Sequence, residues 1–300
     1  MKATDPIHFF NRYSGKMETE AVYGGGFLKW AYGNPLGRAS VEMLVKRAFF
    51  SRFYGCWMDR SSTARKVKPF INSFGLDARE FLKSPDDFVS FNDFFSRELK
   101  AEARPISDKE NAIVFPADGR HLGFQDLSVV DRVFVKGQNF QLDALLGNAE
   151  LAQRYRNGAA VLSRLCPVDY HRFHFSVSGK VNQTSLMNGY LYSVNPMALR
   201  QNLAYLWQNK RTLTRIETES LGEVLIMEIG ATNVGSIVQT FQPDSIVQKG
   251  DEKGYFRFGG SATMTFFEPG AVQLAEDLRT QTTNGLELYA RMGDVMGVTV

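Results

Sequence analysis

The chain has 300 residues, of which 44% are hydrophobic and 22% charged, a balance that points to a globular protein with a packed core in one large domain or two modest ones. Thirty-five basic against 32 acidic residues leave a formal charge of +3, too small to indicate a general polyanion binder, and no nucleic-acid partner is expected. Cys56 and Cys166 are the only cysteines, so the chain lacks a disulfide framework and fits a reducing compartment.

The opening Met1-Lys2-Ala3-Thr4-Asp5-Pro6 has neither the apolar core of a secretory signal nor the acid-poor composition of a transit peptide. No later stretch supplies the uninterrupted run of about 18 apolar residues that a spanning helix needs. Residues 26–85 carry a helical and aromatic pattern, with Leu44, Val45, Ala48, Phe49, Phe53 and Trp57 at three- and four-residue steps. Basic residues crowd residues 27–70: Lys29, Arg38, Lys46, Arg47, Arg52, Arg60, Arg65, Lys66 and Lys68 face only Glu42 and Asp59 there. Two readings fit it. The helices cover a β core with their charges solvated, or they form a peripheral membrane surface in which Phe49, Phe50, Phe53, Tyr54 and Trp57 enter the interface beside Lys46, Arg47 and Arg52.

A short helix is predicted over residues 87–97, and after Arg104-Pro105 the texture turns to short β-branched and aromatic runs. Strands are expected at 129–136, 160–165, 173–181, 223–229, 236–241, 255–258 and 263–267, with one helix over 196–208. The fold class is therefore α+β, an N-terminal helical layer (residues 1–105) packed on a mostly antiparallel β core (106–300).

Three segments carry chemistry. In Phe258-Gly259-Gly260-Ser261 two glycines precede a serine, and the lack of a Cβ leaves the Gly260 carbonyl open to the serine hydroxyl. Pro116-Ala117-Asp118-Gly119 supplies a carboxylate, and Asp169-Tyr170-His171-Arg172-Phe173-His174 holds two of the four histidines. In a flat strand i and i+3 point to opposite faces, so His171 and His174 serve one site only at a bend or a strand start, which Pro167 favours. Together the segments suggest a chain that cuts itself and turns the serine into a pyruvoyl group. Taken singly they admit other chemistry. His171, His174 and Asp118 could ligate zinc in a hydrolase, although no third histidine or cysteine cluster has clear ligand spacing and no metal is expected. Ser261, His174 and Asp118 could form a serine hydrolase triad, although Thr263 stands where the nucleophile elbow needs glycine. Val247 to Glu252 is similar to the hammerhead turn of lipoyl and biotinyl carriers, but Lys249 and Lys253 are not in an acceptor setting.

Phe91-Asn92-Asp93-Phe94-Phe95-Ser96-Arg97, Arg104-Pro105-Ile106, Pro116-Ala117-Asp118-Gly119, Asp169-Tyr170-His171-Arg172-Phe173-His174, Asn233-Val234-Gly235-Ser236-Ile237 and Lys253-Gly254-Tyr255-Phe256-Arg257-Phe258-Gly259-Gly260-Ser261 occur in an order that resembles the phosphatidylserine decarboxylase family. One departure is Gly-Gly-Ser-Ala where many bacterial members have Leu-Gly-Ser-Thr. The resemblance implies that Asp118, His174 and Ser261 form a self-processing triad, His174 taking the hydroxyl proton while Asp118 orients the imidazole. Ser261 then attacks the Gly260 carbonyl, and the resulting ester is eliminated, leaving a large chain (1–260) and a small chain (261–300) that remain as a heterodimer, with further oligomerisation left open. The pyruvoyl group so formed would condense with the amine of phosphatidylserine and act as the electron sink for loss of carbon dioxide, giving phosphatidylethanolamine without an external cofactor. His171 belongs to the decarboxylation site by resemblance, with Tyr170 and Arg172 in support; alternatively, Arg172 pairs with an acid beneath the site. A peripheral position on an anionic membrane, at the cytoplasmic face, completes the expectation.

Overall fold

The computed structural model describes residues 5–132, 140–232, 237–259 and 261–300. Its backbone is organised by an eleven-stranded sheet whose middle runs, in spatial order, Arg211–Glu217, Glu223–Ile229, Ser261–Phe267, Ala159–Leu165 and Gly119–Phe124, all antiparallel to their neighbours. Both faces are covered, which is why Ala159–Leu165 and Ser261–Phe267 are buried at every position. Alternation along the strand divides the residues: Ala262, Met264 and Phe266 join the core beneath Leu145, Leu151, Tyr155, Leu203 and Leu206. Phe267, on the face shared by Ser261, Thr263 and Thr265, joins the core closed by Leu278 and by Ile113, Val272 and Met296.

The helical layer is punctuated by local signals. Asn34 caps Pro35–Ser40 by accepting from the Leu36 amide, and Gly75, at φ 63°, ends Val67–Phe74. Ser90 caps Phe91–Phe95 through the Asp93 amide. Phe70, Phe81, Phe88, Phe91, Phe94 and Phe95 form an aromatic core that includes Phe258 from the other half of the chain.

Several expectations are corrected. Residues 8–19, read as part of the helical region, form the hairpin His8–Asn11 and Lys16–Thr19, which joins the large sheet parallel to Glu287–Ala290. Residues 127–132 form a helical turn instead of a strand, opened by the Asp126 carboxylate accepting from the Ser128 amide; residues 133–136 lie outside the described residues. The run 173–181 splits into Arg172–His174 and Gly179–Val181, because Phe175 bonds Gly250 and Asp251 and Ser176 bonds Val114 between them. The helix at 196–208 is two helices, Pro196–Leu199 and Tyr205–Gln208, interrupted where the Asn202 side chain takes the Ala204 amide. Among the described residues no helix is long and apolar enough to cross a membrane.

Candidate active site

Ser261 opens the Ser261–Phe267 strand and pairs in register with Leu165, with Ala262 between Ile229 and Arg164. Its side chain is fully buried and Oγ has no hydrogen-bond partner among the described residues. Such a hydroxyl is costly to bury unless something else uses it. Gly260 lies outside the described residues; Gly259 has φ 141°, a conformation that favours glycine. Phe258 just before it is fixed at both ends, its amide donating to Asn92 Oδ1 at 2.8 Å and its ring packed on Tyr54, Phe91 and Phe95.

The segment after Leu165 turns sharply. The Asp169 amide donates to the Cys166 carbonyl at 2.8 Å, with Pro167 inside the turn, and the Cys166 amide donates to Asp169 Oδ2 at 2.7 Å. Arg120 Nη1 holds the Asp169 carboxylate at 2.6 Å, while burial pushes that carboxyl upward against the pull of Arg120. His171 follows directly and precedes the strand Arg172–His174, the irregular position at which two histidines three residues apart can address one region. His171 Nδ1 lies 3.0 Å from the Asp169 carbonyl, its ring lies against Phe95 at 3.9 Å, and the Gly259 backbone also acts on the imidazole. Burial pushes its imidazole down to about 3. His174 is buried too, its amide bonded to the Pro116 carbonyl and its Nδ1 without a partner among the described residues. Burial pushes it down to about 4 against the pull of Glu252 and Asp118. Both rings are therefore neutral near pH 7, the form in which an imidazole accepts a proton.

Asp118 ends the loop before Gly119–Phe124. Gly119 is required there because a Cβ would stand 2.6 Å from the Arg164 carbonyl oxygen. The Asp118 carboxylate accepts from Arg104 Nε at 2.9 Å and Nη2 at 2.6 Å, and from the Met292 amide at 2.9 Å. It is near enough to act on His174 through space, but no hydrogen bond joins the two among the described residues. A buried carboxylate takes the strongest donors in reach, and here they are a guanidinium and an amide. Ala117, Leu165, Phe173 and Phe256 pack as one small apolar cluster, so the neighbours of Asp118, Ser261 and His174 share a common floor.

The remaining expected residues are also in this region. The Tyr170 ring lies tilted beside His174 with centroids 5.8 Å apart, and burial pushes its phenol upward. Arg172 donates to Glu252 at 2.7 Å and to the Ser96 carbonyl, and pairs with Glu98 at 3.0 Å. Arg104, Asn92 and Arg97 also shape this region, although nothing in the sequence alone assigns them a role. Arg97, buried between Phe81 and Phe94, donates to the Val168 and Asp169 carbonyls and so braces the turn ahead of His171. Their only signal was membership of the Phe91-to-Arg97 and Arg104-Pro105 motifs.

Two cavities flank these groups. A largely apolar one of about 590 Å³ is lined by Gly259, Phe258, Leu165 and Pro167 at one end and by Tyr23, Phe27, Leu28 and Tyr54 of the helical layer at the other. A polar one of about 370 Å³ reaches Asp118, Asp169, Tyr170, Arg97 and Arg104. Among the described residues no three His, Cys, Asp or Glu side chains group as a metal site.

Asp118 lines the polar cavity and Ser261 opens the strand paired with Leu165 of the apolar one; the comparisons give the class of protein that carries these residues. The sequence profile described as phosphatidylserine decarboxylase matches residues 91–297. The chain is 43% identical over 291 residues to the phosphatidylserine decarboxylase proenzyme of Clostridium novyi (strain NT), covering 97% of this chain and 99% of that protein. It is 42% identical over 293 residues to the proenzyme of the same description from Fusobacterium nucleatum, with 98% of each covered. One from Clostridium botulinum (strain Langeland) is 40% identical over 291 residues, covering 97% and 99%. The chain belongs to the phosphatidylserine decarboxylase family. These findings give no support to the serine or zinc hydrolase alternative.

Proposed function

We propose that this chain is a proenzyme that cleaves itself between Gly260 and Ser261 and then decarboxylates phosphatidylserine to phosphatidylethanolamine with a pyruvoyl group derived from Ser261. The observation that carries the reading is the buried Ser261 hydroxyl, without a hydrogen-bond partner among the described residues, at the start of a central strand paired with Leu165 of the apolar cavity lining.

The residues present fit the group: position 261 is walled from water, with Gly259 and Leu165 of the cavity lining beside it. When formed, a ketone there supplies an electron sink for the bond that releases carbon dioxide. Neutral His174 suits the acceptance of the Ser261 hydroxyl proton, and the Asp118 charge favours the imidazolium that results. His171, held by the Asp169 carbonyl beside the Gly259 backbone that leads to Ser261, suits a proton exchange at the substrate. Asp118 is fixed by Arg104, so its charge stays in place during either step.

The apolar cavity supports a lipid substrate, since it extends from Gly259 to Phe27 and to Tyr54, whose helix Ala48–Met58 also carries the exposed Phe49 and Phe53. With the basic residues of segment 27–70, except Lys46, which is buried against Glu42 and Tyr192, that surface supports docking on an anionic membrane at its cytoplasmic face. The two chains would stay together, because Ser261–Phe267 is hydrogen-bonded between two strands of the large chain. The test is release of carbon dioxide from phosphatidylserine in mixed micelles: activity is expected from the native sequence and none from Ser261→Ala. Equal activity in the two would overturn the reading.

A further inference from the structure

His171 and His174 border one sheet and Ser261 belongs to another. The strand Arg172–His174 sits at the edge of a three-stranded sheet with Glu252–Phe256 and Ile237–Gln239, while Ser261–Phe267 is central in the large sheet. Anything that fixes the separation of the two sheets fixes the histidines against the serine. Among the described residues one ion pair crosses between them: Lys253 Nζ lies 2.9 Å from Glu228 Oε1, and both side chains are fully buried.

The placement of each partner is specific. Lys253 is the extra residue of a bulge, since Glu252 pairs with His174 and Gly254 with Phe173. A bulge re-aims a side chain and sets local register; here it directs a lysine into the interior, under the rings of Phe173, Phe175 and Phe241. Glu228 stands opposite Thr263, two residues after Ser261 and on the same face of that strand. Gln239 locks the pair, accepting from Lys253 at 2.8 Å and donating to Glu228 Oε2 at 2.9 Å, and Thr212 donates to the same oxygen at 2.6 Å.

A buried ion pair is poor evidence for stability, because desolvation offsets most of the attraction and apolar substitutes of similar volume are often neutral. Its distinct capacity is to enforce one register, since a slipped sheet would leave two buried charges unpaired. We propose that Lys253 and Glu228 are positioning residues for self-cleavage, holding the histidine-bearing sheet in register with the Ser261 strand. The proposal rests on the self-processing reading above.

The test follows the cleavage time course of freshly refolded full-length chains by intact mass, with melting temperatures taken in a Ser261→Ala background where no cleavage intervenes. Lys253→Met/Glu228→Gln removes both charges at similar volume, and Gln239→Ala keeps both charges but unlocks them. The double variant is expected to melt near the parent and to cleave about 10- to 100-fold more slowly, the scale of a misplacement of about 1 Å. Gln239→Ala is expected to cleave several-fold more slowly. Native cleavage rates in a folded double variant would overturn the proposal. If the double variant does not fold, a native rate in Gln239→Ala would overturn it equally, by leaving the pair a structural role only. Absence of cleavage in the unaltered chain would instead refute the self-processing reading itself.

Discussion

The side chain of Asn92 accepts a hydrogen bond from the backbone amide of Phe258 at 2.8 Å and donates to Asp59 at 2.9 Å. The helical layer thereby grips the chain three residues before Ser261. Replacing Asn92 with alanine leaves a buried amide unpaired, a loss of about 1–3 kcal/mol. The expected result is slower self-cleavage as well as lower stability, read by a mass time course beside a urea titration.

Arg104 and Asp118 make a buried, bidentate pair. Arg104→Met leaves the carboxylate with the Met292 amide alone and should cost about 3–5 kcal/mol, the penalty of an uncompensated buried charge. Adding Asp118→Asn should return a good part of that stability without restoring activity. Chemical denaturation of the single and double variants measures it.

Three buried imidazoles set the acid limit. Burial pushes His121 and His171 down to about 3 and His174 to about 4, whereas each titrates near 6.5 in the unfolded chain. Below pH 6.5 the unfolded state binds protons that the folded state refuses, so stability is complete above that pH and falls as pH drops toward 4. The slope should approach about 4 kcal/mol per pH unit if all three act together. Urea midpoints between pH 7.5 and 5 test this, and a flat profile would contradict it.

Phe49 and Phe53 are 66% and 70% exposed, an arrangement without benefit in water. Phe49→Ser/Phe53→Ser should lower affinity for phosphatidylserine-containing vesicles by at least about tenfold, given about 1.5–3 kcal/mol for each phenylalanine fully removed from water. The melting temperature should be unchanged. Sedimentation with vesicles provides the comparison.

The sequence made much of this arrangement legible. Glu223–Ile229 follows its expected bounds, and Ser90, Asn34 and Gly75 punctuate helices through side-chain caps or a positive φ, because these are local signals. The 8–19 hairpin was missed because its eight strand residues are only partly apolar and gain their place from Glu287–Ala290, far along the chain. The same reason hid Arg104, Asn92 and the Lys253–Glu228 pair: a buried charge is recognised by its partner, and each partner lies between 14 and 166 positions away. Asp118, His171, His174 and Ser261 were visible as motif residues, but the capture of Asp118 by Arg104 depends on tertiary geometry.

Intact mass of the purified protein under denaturing conditions tests the central claim most directly. The account predicts two species dividing between Gly260 and Ser261, the smaller lighter than a serine-started fragment by one ammonia, and a single full-length species for Ser261→Ala. A single full-length mass for the native sequence in an active preparation would contradict it.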